Sequence, residues 1–284
     1  MLLYYMIITL NKTSKIGDKI EKYIIKKTKK PAPKCYQRLT DSTIDKIINK
    51  VKHRFNKTIN RHVIISINSS YMKDYIINNY YKLKQNENKI IKEYPHTNIL
   101  LLSQKYDLSP VTIFKLVFEQ KYNVKLSNII KNTHILDDYD AKQFNKAVKH
   151  DIYFQLDQTQ SMEDAINFEN NVEQFLINNN IKYKKQKELV EEQKKLYGQA
   201  INTPDFLIES ELIINNMRIK WIDAKNYYGA NINFIKNKIK KQIKKYISSY
   251  GTGCIVFSLG HNNNLNILNT ICIDYDNLIP FIKK

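Results

Sequence analysis

The 284-residue sequence predicts an α+β or α/β chain: an N-terminal helical domain, then a C-terminal domain with a mixed sheet flanked by helices. Three observations predict it. Apolar residues recur at three and four between Asp41 and Tyr122, the period of a helix with one buried face. From Thr203 to Lys225 the pattern changes to strand-like alternation around an Asn215-Asn216 turn. Helical spacing returns over Asn233–Tyr250, ahead of a buried, strand-like run at Cys254–Gly260.

A hydrophobic fraction of 43% is enough for two modest cores, and the expected division is 1–34, 35–159 and 160–284. Forty-six Lys and Arg against 27 Asp and Glu give a formal charge of +19, which points to a polyanionic partner. Cys35, Cys254 and Cys272 show no CxxC spacing, so neither a zinc site nor a disulfide framework is expected, and an intracellular location, nucleus or cytoplasm, fits. The apolar start, MLLYYMIITL, stops at Asn11 and is too short to span a bilayer; it reads as a strand or helix turn packed on the body, and no membrane association is expected.

In chain order, the basic stretch 12–34, with Pro31 and Pro33 near its end, reads as a flexible arm. Ile44, Ile47, Ile48, Val51 and Phe55 predict a helix capped by Asp41 or Ser42. A second helix is expected from Ser69 to Glu93, with Tyr71, Tyr75, Tyr80 and Tyr81 along it. NILLLSQKY, a turn at Asp107-Leu108 and VTIFKLVFEQKY, capped by Ser109 with Pro110 in its first turn, outline a helix-turn-helix. Its second helix is expected to turn Val111, Thr112 and Lys115 outward, Thr112 and Lys115 being candidate nucleic-acid contacts. Asp137–Gln160 reads as a polar connection between the halves.

The C-terminal half opens on a helix, Ser161–Asn178, carrying Glu169. Ile181–Tyr183 suggests an edge strand and Glu188–Tyr197 a charged helix. Next comes TPDFLIESELIINNMRIKWIDAK, in which Trp221, Asp223 and Lys225 share one strand face while Ile222 and Ala224 share the other. If the two strands lie side by side, Asp205 approaches Asp223, and two carboxylates beside a lysine make a hard-oxygen site for Mg²⁺ or Mn²⁺. Acid-x-Lys also occurs at Glu87-Lys89, Glu119-Lys121, Asp140-Lys142 and Glu192-Lys194, but only Asp223 sits in strand-like alternation after Pro-Asp. Gln242 and Tyr246 lie four apart on the following helix, beside its stripe of Ile235, Ile239, Ile243 and Ile247. Glu188 and His261 are minor site candidates, and TICIDYDNL is expected to close the sheet.

TPDFLI, WIDAK, QIKKY with the glycines of YGTGCIVF, and AINFE at Ala165–Glu169 together resemble the codanin-interacting nuclease family, over about the last 120 residues. The resemblance implies a PD-(D/E)XK nuclease domain of the restriction-endonuclease-like type. Asp223 stands where animal members usually have glutamate. The implied activity is metal-dependent phosphodiester hydrolysis. Asp205 and Asp223, with help from Glu169 and a backbone carbonyl near Ala224, would hold one or two Mg²⁺ or Mn²⁺ ions. Lys225 would position water or meet phosphate charge, Gln242 would orient the water or a base, and Tyr246 would contact backbone phosphate. Asp223→Ala or Lys225→Ala is expected to abolish cleavage and spare binding. DNA is favoured over RNA by the helix-turn-helix outline and by most relatives of the fold. In animals the family's protein partner is codanin, and junction-cutting relatives are often dimers, so the resemblance admits a codanin-like partner and a homodimer. The alternative is an inactive nucleic-acid-binding or scaffold protein on the same fold.

Overall fold

The computed structural model describes residues 5–10, 16–28, 36–131, 133–152 and 158–282; Pro31, Pro33 and Cys35 fall outside them. In chain order, strand β1 (Tyr5–Ile8) and helix α1 (Asp18–Thr28) precede α2 (Asp41–Phe55), α3 (Arg61–Asn78), α4 (Tyr81–Glu93), α5 (Ile99–Tyr106), α6 (Pro110–Tyr122), α7 (Leu126–Lys131) and α8 (Asp138–Lys149). Helix α9 (Gln158–Asn178) leads into β2 (Tyr183–Lys185), α10 (Gln186–Tyr197), β3 (Phe206–Ile208), β4 (Glu211–Ile214), β5 (Met217–Arg218) and β6 (Trp221–Lys225). Helix α11 (Asn233–Tyr250), β7 (Gly253–Phe257), β8 (Thr270–Asp274) and the short α12 (Ile279–Ile282) complete the chain. Two compact units result, residues 24–158 and residues 1–23 with 159–284. No helix among the described residues is long and apolar enough to cross a membrane.

In the first unit, Ile44, Ile47 and Val51 bury one stripe of α2, whose cap is Thr40 rather than Asp41 or Ser42. The helix expected over Ser69–Glu93 is broken at Asn79, whose side-chain amide donates to the Tyr75 carbonyl (2.8 Å). Helices α5 and α6 form the expected pair. Asp107 turns the chain in the left-handed region (φ 55°) and Ser109 caps α6 by accepting from the Thr112 N–H (3.3 Å). Buried Asp151 reinforces that end, its Oδ2 accepting from the Val111 N–H (3.0 Å) and pairing with the Ser109 hydroxyl. Val111 is buried, not outward, because it joins Leu102, Ile113, Phe114, Phe118, Phe144 and Ala147 in the core. Half of the segment read as a polar connection is core helix α8. Its Asp140 is buried and accepts from the Tyr94 hydroxyl (2.9 Å), the Tyr122 hydroxyl (2.8 Å) and the Lys121 ammonium (2.7 Å).

The second unit holds a five-stranded sheet of order β2-β3-β6-β7-β8 and a three-stranded sheet of order β1-β4-β5. Strands β2, β3 and β6 pair antiparallel, whereas β6, β7 and β8 run parallel, so the larger sheet is mixed. The expected hairpin is present but divided between the sheets. Asn215 and Asn216, both at positive φ, join β4 to β5 in the small sheet, while β3 and β6 pair in the large one with Phe206 opposite Ile222. One face of the large sheet packs on α9: Ile222 and Ala224 share a core with Phe168, Val172, Phe175 and Leu176. Trp221 and Asp223 turn to the other face, toward α11.

The arm expected over residues 12–34 is corrected in its described part. There α1 runs from Asp18 to Thr28, while the apolar start ahead of it forms strand β1, parallel to β4, in line with the packed strand expected of it. Within this unit, buried Glu21 accepts from the Asn231 N–H through both carboxylate oxygens (3.1 Å each), and Ile8, Ile16 and Ile20 are buried. A run of lysines conceals this in the sequence, because isoleucines four apart put the amines on one side and the apolar groups on the other.

Candidate active site

The site is built on β6. Asp223 is fully buried, which for a carboxylate demands partners. It has two. Gln242 Nε2 of α11 donates to its Oδ1 (3.1 Å), and the Lys225 ammonium, two residues along the same strand face, ion-pairs with its Oδ2. The pairing is one of charge more than alignment, since Oδ2 accepts no well-formed hydrogen bond. Burial works against the Lys225 charge, but Asp223 outweighs it and holds the ammonium protonated above the ordinary lysine range.

Asp205 enters from the end of β3. Its Oδ2 accepts from the Ala224 N–H (2.7 Å), which places the carboxyl one residue from Asp223. Burial, then the Asp223 charge, pushes its pKa up to about 8; Lys225 and the Ala224 bond pull the other way, and Glu169 adds to the rise. The turn delivering Asp205 is clamped on both sides. The Asp205 carbonyl accepts from the Gln186 N–H (3.0 Å), and the Thr203 carbonyl accepts from the Tyr246 hydroxyl (3.3 Å) and Gln186 Nε2 (3.1 Å). Glu169 stands near enough on α9 that burial, then Asp223, raises its pKa as well.

Gln242 and Tyr246 act through one another. Gln242 Nε2 donates to the Tyr246 oxygen (3.2 Å) while that hydroxyl donates to Thr203, so a chain of hydrogen bonds runs from the Thr203 carbonyl to Asp223. Tyr246 is therefore buried and structural in its contacts, with its ring edge-on to Trp221 (5.4 Å between centroids), and is not turned out to meet phosphate. Of the minor candidates, Glu188 caps α10 by accepting from the Lys185 N–H (2.7 Å), and His261 Nδ1 pairs with Asp274 (2.5 Å). Lys115 is exposed on α6, and the Thr112 hydroxyl donates to Ser109 Oγ (3.2 Å).

Two neighbours escaped the sequence reading. Tyr227 continues the face of Asp223 and Lys225, and its buried hydroxyl has no hydrogen-bond partner. The Lys238 ammonium lies over the Tyr227 ring (5.7 Å to the centroid). Lys238, Gln242 and Tyr246 are spaced four apart on α11, and that repeat was the available signal.

The donor set fits a hard divalent ion: two carboxylates side by side, one oxygen of Asp223 without a well-aligned donor, and no soft ligand among them. No group of three His, Cys, Asp or Glu side chains gathers into a metal site among the described residues. Two carboxylates, with water and a substrate phosphate completing the shell, are the usual protein share for Mg²⁺.

Residues 136–276 match the model of a family described as a protein of unknown function with a TPD sequence motif. The motif's three residues stand here as Thr203, Pro204 and Asp205, the clamped turn that carries the first carboxylate. The chain is also 31% identical over 156 residues to an uncharacterized protein, L539, of Acanthamoeba polyphaga mimivirus. That alignment covers 51% of this chain and 53% of the relative, so the chain spans about half the length of the curated relative it matches. No solved structure matches.

Proposed function

We propose that this chain is a divalent-metal-dependent nuclease of the PD-(D/E)XK type, hydrolysing phosphodiester bonds in DNA in preference to RNA. The observation that carries the reading is the convergence of Asp205 and Asp223 beside Lys225, with Gln242 fixing Asp223 from α11. The order helix, two antiparallel pairings, helix, parallel strand, seen in α9, β2, β3, β6, α11 and β7, is that expected of such a domain.

Asp205 and Asp223 would hold Mg²⁺ or Mn²⁺, with Glu169 a further carboxylate close enough to be raised in pKa by Asp223. When bound, such an ion lowers the pKa of coordinated water and neutralises charge gathering on the scissile phosphate. Lys225 supplies a mobile point charge for the attacking water or the phosphate oxygens. Gln242 keeps the Asp223 carboxylate oriented, and the clamp on Thr203 keeps Asp205 beside it. The overall charge of +19 serves the approach of a polyanion, and Lys115 and Thr112 on α6 are the proposed duplex contacts of the helical unit.

The reading is tested by incubating purified protein with labelled linear, flap and four-way-junction DNA, and with RNA, in Mg²⁺ or Mn²⁺. Cleavage that vanishes with EDTA and in Asp223→Asn and Lys225→Met supports it; full activity in both variants overturns the site. The ion pair by which Lys225 already neutralises Asp223 also suits a second reading, a non-cleaving nucleic-acid-binding protein on the same fold. Calorimetry with Mn²⁺ separates the two, since only the nuclease requires heat that disappears in Asp205→Ala.

A further inference from the structure

A lysine that neutralises a metal-binding carboxylate must go elsewhere when the carboxylate takes up its ion. Lys225 is in that position. Its ammonium lies against Asp223 Oδ2, in an ion pair without good hydrogen-bond alignment, at the oxygen a cation would claim. Lys225 is itself well buried, so displacement into an apolar surrounding without a new acceptor would be costly.

Tyr227 offers such an acceptor. Beyond Lys225 the chain leaves the strand by a tight turn in which the Tyr227 N–H donates to the Lys225 carbonyl (2.8 Å), and the Ser258 N–H donates to the same oxygen (3.0 Å). Past this turn the Tyr227 side chain lies beside Lys238 of α11 and within reach of the Lys225 and Asp223 charges. Its ring is held edge-on to Phe257 (6.0 Å between centroids) on one side and by the Lys238 ammonium on another. The phenolic hydroxyl so placed is buried and makes no hydrogen bond, a costly state for a polar group that nothing in the resting site requires. Burial raises its pKa, so it is a neutral hydroxyl, and the charges of Lys225 and Asp223 both reach it. A neutral oxygen with free lone pairs is what a displaced ammonium needs.

We infer that Tyr227 is a positioning residue for the metal-bound state: its hydroxyl accepts the Lys225 ammonium once a divalent ion occupies Asp223. Lys225 thereby stays charged and placed beside the ion instead of competing with it. The inference rests on the metal-site reading proposed above and goes beyond it by giving Lys225 two defined partners.

The test is Mn²⁺ calorimetry on the full chain, with thermal stability of the metal-free protein measured alongside. Tyr227→Phe is expected to weaken Mn²⁺ binding about tenfold while leaving the metal-free melting temperature unchanged or higher, because it deletes an unsatisfied hydroxyl and keeps the ring. In a Lys225→Met background the same substitution should have no effect on Mn²⁺ affinity, since no ammonium remains to be rehoused. Mn²⁺ affinity within twofold of wild type in Tyr227→Phe, or an equal loss in the Lys225→Met background, overturns the inference. So does a lowered metal-free melting temperature, which would make Tyr227 merely structural. Wild-type protein that binds no Mn²⁺ overturns the metal site itself, an outcome distinct from the others. Mn²⁺ binding without DNA cleavage would refute the nuclease reading and leave the Tyr227 result to stand or fall by itself.

Discussion

Uptake of a divalent ion at this site should expel a proton at neutral pH. In the metal-free protein the Asp205 carboxyl keeps its proton up to about 8, because it is buried and faces a second carboxylate. A bound ion requires the ionised form, so below that pH binding must include deprotonation. Each pH unit below the pKa costs about 1.4 kcal/mol, or about tenfold in affinity. Mn²⁺ binding at pH 6 should therefore be about a hundredfold weaker than its plateau above pH 9, and at pH 7 about tenfold weaker. Calorimetry at pH 6.5 in buffers of different ionisation heat should count about one proton released per ion, falling toward zero above pH 9. The sign for folding is the opposite. An acid whose pKa is raised in the folded state is already ionised in the unfolded chain, so metal-free stability falls as pH rises from 3.8, the ordinary value, to about 8, and is level above it. Asp205→Asn should remove that fall along with tight Mn²⁺ binding. Tight binding at pH 6.5 with no proton release, or affinity that is flat from pH 6 to 9, would show that Asp205 is ionised before the ion arrives and would refute the argument.

Asp223→Ala and Asp223→Asn should part company. Alanine leaves the buried Lys225 ammonium unpaired and should cost about 3–5 kcal/mol in a urea titration, whereas the amide retains an acceptor and should cost less. Cleavage assays should accordingly use asparagine; equal stability of the two variants would mean that Lys225 is not held by this pair. At Gly253 an added Cβ would lie 2.2 Å from the Trp221 indole, so Gly253→Ala should destabilise by at least about 1–3 kcal/mol and shift Trp fluorescence; a neutral result would mean that Trp221 does not pack there. Glu21 is buried and its pKa is raised chiefly by that burial, so its contribution to stability declines as pH rises above 4.5. Glu21→Gln should flatten that part of the pH–stability curve, and an unchanged slope would count against a buried charge at this position.

The C-terminal elements were legible because alternation and helical spacing are both strong there. Helix α11 and strands β6, β7 and β8 stand where the pattern places them, and all four stray acid-x-Lys pairs fall on helices, where such a pair does not share a face. What was hidden depends on partners far along the chain. Nothing in the sequence of Tyr5–Ile8 names β4 as its neighbour 206 residues later, and the lysines of α1 read as an arm until Glu21 meets Asn231. Asp140 reads as solvated until three donors converge on it, two of them tyrosine hydroxyls. Tyr246 stands on the helix face its spacing predicts, while its hydroxyl donates to the Thr203 carbonyl, since periodicity shows which face a residue occupies and not where its hydroxyl finds a partner.

The paired spacings of the two motif segments follow from matching a strand to a helix. Two residues of strand advance about 6.6 Å and four residues of helix about 6.0 Å. A helix crossing back over its own strand can therefore place one residue in four against one residue in two, with little drift over a single step. Trp221 meets Tyr246 and Asp223 meets Gln242 on this basis. The third contact, Tyr227 with Lys238, breaks the count: the strand residue advances by four while the helix residue again advances by four. An extended strand would carry Tyr227 about 13 Å beyond Asp223, roughly twice the helical step. The tight turn from Lys225 to Tyr227 takes up the difference, and in doing so leaves Lys225 between two contacts with no rung of its own on α11. The ammonium on this strand face is thus the side chain that α11 does not fix, which is the freedom that the proposed exchange of partners calls for.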